Sequence, residues 1–295
     1  MTGALVEQRT GREAQVTKSA RSDQTDPSKH GSASLSDALS SLGSRLAVLV
    51  VAAFGVSTVA FFVLPSSASG HRVPTPDLAE LAASTTGTTL RHAPSDPAPG
   101  AVTKGEVVHP RRTVALFAAP GRRPFAKVGP HEMGDTWLPV IDSRGGWSQV
   151  LLPSRPNGST GWLRTAQVDR RTTPYVVRVH LGSRRLDLFH DHDLIGSWSV
   201  AVGSPATPTP AGRTFILGSV TDANQSFSPV ILPLGAHSDT LDTYGGGPGT
   251  VALHGWPDAS VFGQAVSHGC VRVPADALQE LSQVPLGTLV LVDEE

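Results

Sequence analysis

The chain has 295 residues, with 24 Lys+Arg against 25 Asp+Glu and a formal net charge of −1 at pH 7. That balance excludes the basic excess expected of a nucleic-acid-binding protein. With 30 Gly, 24 Pro and 17% charged residues, the composition favours turn-rich β structure over a helical bundle.

Residues 1–45 are polar, Ser-rich and without periodicity, and read as a disordered cytoplasmic leader. Leu46 to Leu64, "LAVLVVAAFGVSTVAFFVL", carries no charge. As a helix it spans roughly 28 Å, close to a hydrocarbon core. Arg9, Arg12, Lys18, Arg21, Lys29 and Arg45 precede it. This predicts a single-pass transmembrane helix over 46–64, its N-terminus cytoplasmic and the rest on the cell-wall side of the membrane. A cleaved signal peptide, with "PSSASG" as its processing site, is the alternative. The apolar run is longer than the usual apolar region of such peptides, roughly 7–15 residues. Residues 65–110 are rich in Pro, Ser, Thr and Ala and read as a linker, with a short helix near "DLAELAA".

Residues 111–169 predict short strands broken by Gly, Pro, Asn and Ser: "RTVALFAAPG", "TWLPVIDSRGGWSQVLLP" and "STGWLRTAQV". Trp147 and Trp162 each follow a glycine. The segment resembles bacterial SH3-like domains, in which such Gly-Trp strands recur, and so predicts a small SH3-like β-barrel. The tryptophans are then either barrel core or a stacking platform for cell-wall sugar or peptide.

A second β-rich unit spans 174–293. "YVVRVHLG", "RRLDLFH" and "GSWSVAVG" are consecutive strands, with His190 to Asp193 at a turn whose polar residues suit a hairpin. "GSPATPTPAGRTFIL" is a proline-stiffened loop leading into a strand. Apolar Ala277, Leu278, Leu281 and Val284 predict a short amphipathic helix, and "GTLVLV" a closing strand.

Cys270 is the single cysteine of the chain, so no intramolecular disulfide can form. A lone thiol in an oxidising compartment is a liability unless it does chemistry. It sits in "SHGCVRV", and His254 lies 16 residues upstream in "VALHG". A thiol is a nucleophile as thiolate, and an imidazole can take its proton or stabilise the thiolate as imidazolium. His268 can approach Cys270 locally, because i and i+2 share a side in extended backbone; His254 must be brought by the fold. Gly269 frees the backbone there, so the amides of Gly269 and Cys270 are candidate oxyanion donors. Ser267 is a candidate substrate contact, and Arg272 offers a planar fork for a carboxylate. Nucleophile, base, oxyanion donors and carboxylate clamp together point to acyl transfer on a peptide with free carboxylates. A zinc site from His254, His268 and Cys270 matches no common zinc spacing, and no metal is predicted.

On "HG", "SHGCVRV", "GSPATPTPAGRTFIL", "GGGPGTVALHG" and "VPLGTLVLV", residues 174–293 resemble the L,D-transpeptidase catalytic domain, or YkuD domain. The resemblance implies a mainly β, sandwich-like domain with Cys270 as nucleophile, His254 as proton acceptor and His268 shaping the site. It implies peptidoglycan stem peptides as donor and acceptor, a thioester on Cys270, a 3→3 cross-link, no cofactor, and acylation by β-lactams. If water resolves the thioester, the activity is that of an L,D-carboxypeptidase. The non-enzymatic alternative is a wall-binding scaffold acting through the SH3-like module.

Overall fold

The computed structural model describes residues 77–222 and 225–295, and the predicted leader and the apolar segment 46–64 lie outside them. Among the described residues no helix is long and apolar enough to cross a membrane. All of them fall within one compact unit.

The N-terminal strands form one eight-stranded sheet, in the order Ala82–Ala83, Pro124–Val128, Val114–Phe117, Thr160–Arg164, Trp147–Leu151, Leu138–Arg144, Glu106–Pro110, Val168–Thr172. Its two outer strands do not pair, so the sheet is open where a closed SH3-like barrel was expected. The reason lies in what covers its apolar face. Leu116, Leu138, Val150 and Leu163 share a core with Phe215, Leu217, Leu289 and Leu291 from the C-terminal half. A face already covered by a neighbour gains nothing more from closing on itself. The same core bridges the boundary expected between 169 and 174.

Trp147 and Trp162 are 6% and 2% exposed, which removes them as a stacking platform. Arg164 lies over Trp147 at 3.9 Å and Arg144 over Trp162 at 4.4 Å, so cations cover the faces a sugar would need.

The predicted linker is structured from residue 77 onward. In place of the expected helix there is a single 3-10 turn, Leu78–Glu80, capped by Asp77, followed by the strand Ala82–Ala83. Leu90 is buried, and Glu106–Pro110 pairs with both Leu138–Arg144 and Val168–Thr172. Asp96 forms a bidentate pair with Arg213, at 2.6 Å from Nη2 and 2.5 Å from Nε, with both side chains almost fully buried.

In the C-terminal half, a five-stranded sheet runs Asp193–Ser199, Arg185–His190, Tyr175–His180, Leu289–Asp293, Gly212–Phe215. A three-stranded sheet runs Ile231–His237, Thr250–Gly255, Val271–Val273. Alternation decides which side chains turn inward: Val177, Val179, Leu186 and Leu188 from the first sheet meet Leu232, Val251, Leu253, Val271 and Val273 from the second in one core. The Ala275–Leu281 helix inserts Ala277, Leu278 and Leu281 into it. The hairpin read at His190 to Asp193 is present, with Asp191 and His192 both at positive φ.

Candidate active site

The site is made by one parallel pairing. Thr250–Gly255 and Val271–Val273 align Leu253 with Val271, His254 with Arg272 and Gly255 with Val273. Leu253, Val271 and Val273 face the core. His254 and Arg272 therefore lie on the opposite face, and the Cys270 thiol, just before the second strand, feels the Arg272 charge and a hydrogen bond from the Ala252 backbone. Fifteen residues of intervening chain are closed to bring the His254 strand beside the one that follows Cys270.

His254 is buried, and its Nδ1 lies 2.8 Å from the Gly255 carbonyl oxygen. A carbonyl only accepts, so Nδ1 carries the proton and donates it, leaving Nε2 as a free base. Phe227 meets the imidazole edge to face at 5.0 Å and Trp256 at 6.0 Å. Burial lowers the His254 pKa, the hydrogen bond to Gly255 raises it, and nearby Arg272 lowers it further. Burial also pushes the Cys270 thiol up, against smaller lowering effects from the Ala252 backbone and Arg272. Both directions favour the neutral forms, an uncharged imidazole and a protonated thiol.

Gly269 sits at φ +113°, a conformation that L side chains rarely adopt. This turn ends the extended geometry on which the His268–Cys270 expectation rested. His268 is exposed; its ring stacks on Tyr244 at 5.2 Å, with the Tyr244 hydroxyl 3.3 Å from His268 Nδ1. Ser267 is buried, and it differs from the predicted substrate contact. Its Oγ accepts the Gly269 N–H at 3.1 Å and donates to the Cys270 carbonyl at 2.5 Å. The Gly269 amide, expected to face an oxyanion, is therefore already committed to Ser267.

The loop read as proline-stiffened clamps this turn through two threonines that sequence reasoning did not single out. Thr207 Oγ1 donates to the Ser267 carbonyl at 3.0 Å, and Thr209 Oγ1 donates to the Gly269 carbonyl at 2.9 Å. Thr209 Oγ1 also accepts the Gly203 N–H at 2.9 Å, so a buried hydroxyl joins loop to turn. Spacing gives no signal for such pairings, since the partners are 60 residues apart.

Arg272 stacks its guanidinium on Trp256 at 3.7 Å, and its Nε is buried without a hydrogen-bond partner. Stacking on the indole orients the planar fork. Beside it, Phe227, Val230, Trp256 and Leu278 line an apolar groove. Trp256 directly follows "VALHG" in the chain, and spacing alone gives no signal for its stacking on Arg272.

A family model described as the L,D-transpeptidase catalytic domain, YkuD, matches residues 174–292. The chain is 30% identical over 152 residues to the candidate L,D-transpeptidase YkuD of Bacillus licheniformis, covering 49% of this chain and 85% of that protein. It is 29% identical over 126 residues to its namesake in Bacillus subtilis, covering 42% and 70%. Among solved structures, an L,D-transpeptidase from Mycobacterium tuberculosis aligns at 15% identity with a TM-score of 0.37, covering 53% of this chain and 97% of that one.

Proposed function

The chain belongs to the L,D-transpeptidase family, and from that premise we propose that it cross-links peptidoglycan through a thioester on Cys270. The observation that supports this reading is the register of His254 against Arg272, which puts base and cation on one face, with the Cys270 thiol within reach of the Arg272 charge. His254 Nε2 takes the Sγ proton as sulfur attacks the carbonyl of the third residue of a tetrapeptide stem. The C–N bond to the terminal D-Ala breaks, and the proton passes from His254 to the departing amine. A side-chain amine of a second stem then attacks the thioester, loses a proton to His254, and releases the thiol with a 3→3 cross-link formed. With the Gly269 amide engaged by Ser267, the oxyanion donor in this scheme is the Cys270 N–H, and Arg272 receives a substrate carboxylate. His268 and Tyr244 form the rim of the site.

In this reading the apolar segment 46–64 anchors the chain in the membrane, with the site on the cell-wall side where the substrate lies. The strained acyl group of a β-lactam is an electrophile for the same thiol.

The test is incubation of the purified full-length chain with disaccharide-tetrapeptide, following intact-protein and product masses. An adduct on Cys270 and a dimer lacking one D-Ala are expected. Tripeptide release alone would reassign the activity to an L,D-carboxypeptidase. Folded, reduced protein giving neither adduct nor product would overturn the reading.

A further inference from the structure

We propose that Arg155, outside the catalytic segment, is a positioning residue that holds the 238–249 loop so that Tyr244 lies against His268. The inference rests on the functional reading only where it concerns turnover. The Arg155 guanidinium gathers four backbone carbonyls of this loop: Nη1 donates to Ser238 at 3.2 Å, and Nη2 to Pro248 at 2.7 Å and to Leu241 and Asp242 at 3.4 Å each. Asn157 reinforces it, donating to the His237 carbonyl at 2.7 Å and accepting the His237 N–H at 2.8 Å. Arg155 is itself fixed through its backbone, which bonds Thr88 and Leu90.

The loop needs such a brace. Gly245, Gly246 and Gly249 all adopt positive φ, and a glycine-rich segment loses much conformational entropy on being ordered. Its carbonyls turn inward onto one cation. Gly249 is required for that closure: a Cβ there would come within 2.3 Å of the Leu241 carbonyl oxygen and 3.2 Å of Arg155 Nη2. At the tip, Tyr244 and Gly247 exchange backbone hydrogen bonds at 3.0 and 2.9 Å, which presents the Tyr244 ring, 54% exposed, to His268. His268 is two residues from Cys270. The N-terminal half thus supplies the strut for the rim of the site.

The test is amide hydrogen exchange on the full-length chain, with steady-state kinetics on the tetrapeptide. Arg155→Ala is expected to speed exchange within 238–249 by about tenfold or more, as loss of charge-assisted bonds implies. KM rises by a similar factor while kcat changes little, and Arg155→Lys restores part of both. If Arg155→Ala raises exchange throughout the chain, Gly249→Ala decides, with the same localised gain expected. Unchanged loop exchange in the deciding variant, or a fall in kcat with KM intact, would overturn the proposal. Exchange needs no substrate, so a wild-type chain without turnover would sink the functional reading while the loop result still judges the brace.

Discussion

His254 and Arg272 are partners across two parallel strands, and one turn of chain, Ser267 to Cys270, leads directly into the second of them. The arrangement holds the base by a backbone carbonyl and the cation by an indole ring, so neither depends on a mobile carboxylate.

Cys270→Ala is expected to abolish turnover, by at least about 10⁴-fold, with the fold intact by circular dichroism. His254→Gln should lower kcat/KM by about 10²–10⁴-fold, the usual range for a general base. Ser267→Ala removes two bonds within the turn and should cost less. Activity surviving in Cys270→Ala would end the assignment, and Ser267→Ala exceeding His254→Gln would remove His254 as base.

Burial raises the Cys270 pKa and lowers that of His254, so at neutral pH the thiol stays protonated. Alkylation of Cys270 by iodoacetamide should therefore keep accelerating beyond the ordinary thiol range near about 8.5. A rate already at plateau by neutral pH would mean a resting thiolate–imidazolium pair instead.

His237 is fully buried, donates from Nε2 to the Thr86 carbonyl at 2.6 Å, and has no partner at Nδ1. Burial, then the Arg155 charge, lowers its pKa from 6.5 to about 4. Between those values the unfolded chain takes up a proton that the folded chain refuses. Stability from this group is therefore complete above about pH 6.5 and is lost as pH falls toward 4, by up to about 3 kcal/mol. Urea unfolding at pH 7 and pH 4.5 should show a smaller pH dependence in His237→Gln than in wild type; equal dependences would exclude His237 as the source.

Asp96 and Arg213 form a buried bidentate pair. Asp96→Ala leaves an uncompensated guanidinium and should destabilise by about 3–5 kcal/mol in denaturant titration. A loss under about 1 kcal/mol, the range of exposed pairs, would mean water reaches the pair in solution.

What the sequence by itself determined is local. Residue types marked Cys270, His254 and Arg272, the glycine in "SHGC" marked a freed backbone, and "YVVRVHLG" marked a strand. Backbone chemistry and period act over a few residues, so they are readable there. The tertiary structure decided everything that joins distant segments. It left the N-terminal sheet open, because Phe215 and Leu289 already cover it. It set Thr209 on the Gly269 carbonyl and placed Arg155 under the 238–249 loop. Such contacts follow from closing loops of 60 residues or more around shared cores. Their free energy depends on the whole packed arrangement, and no local pattern encodes it.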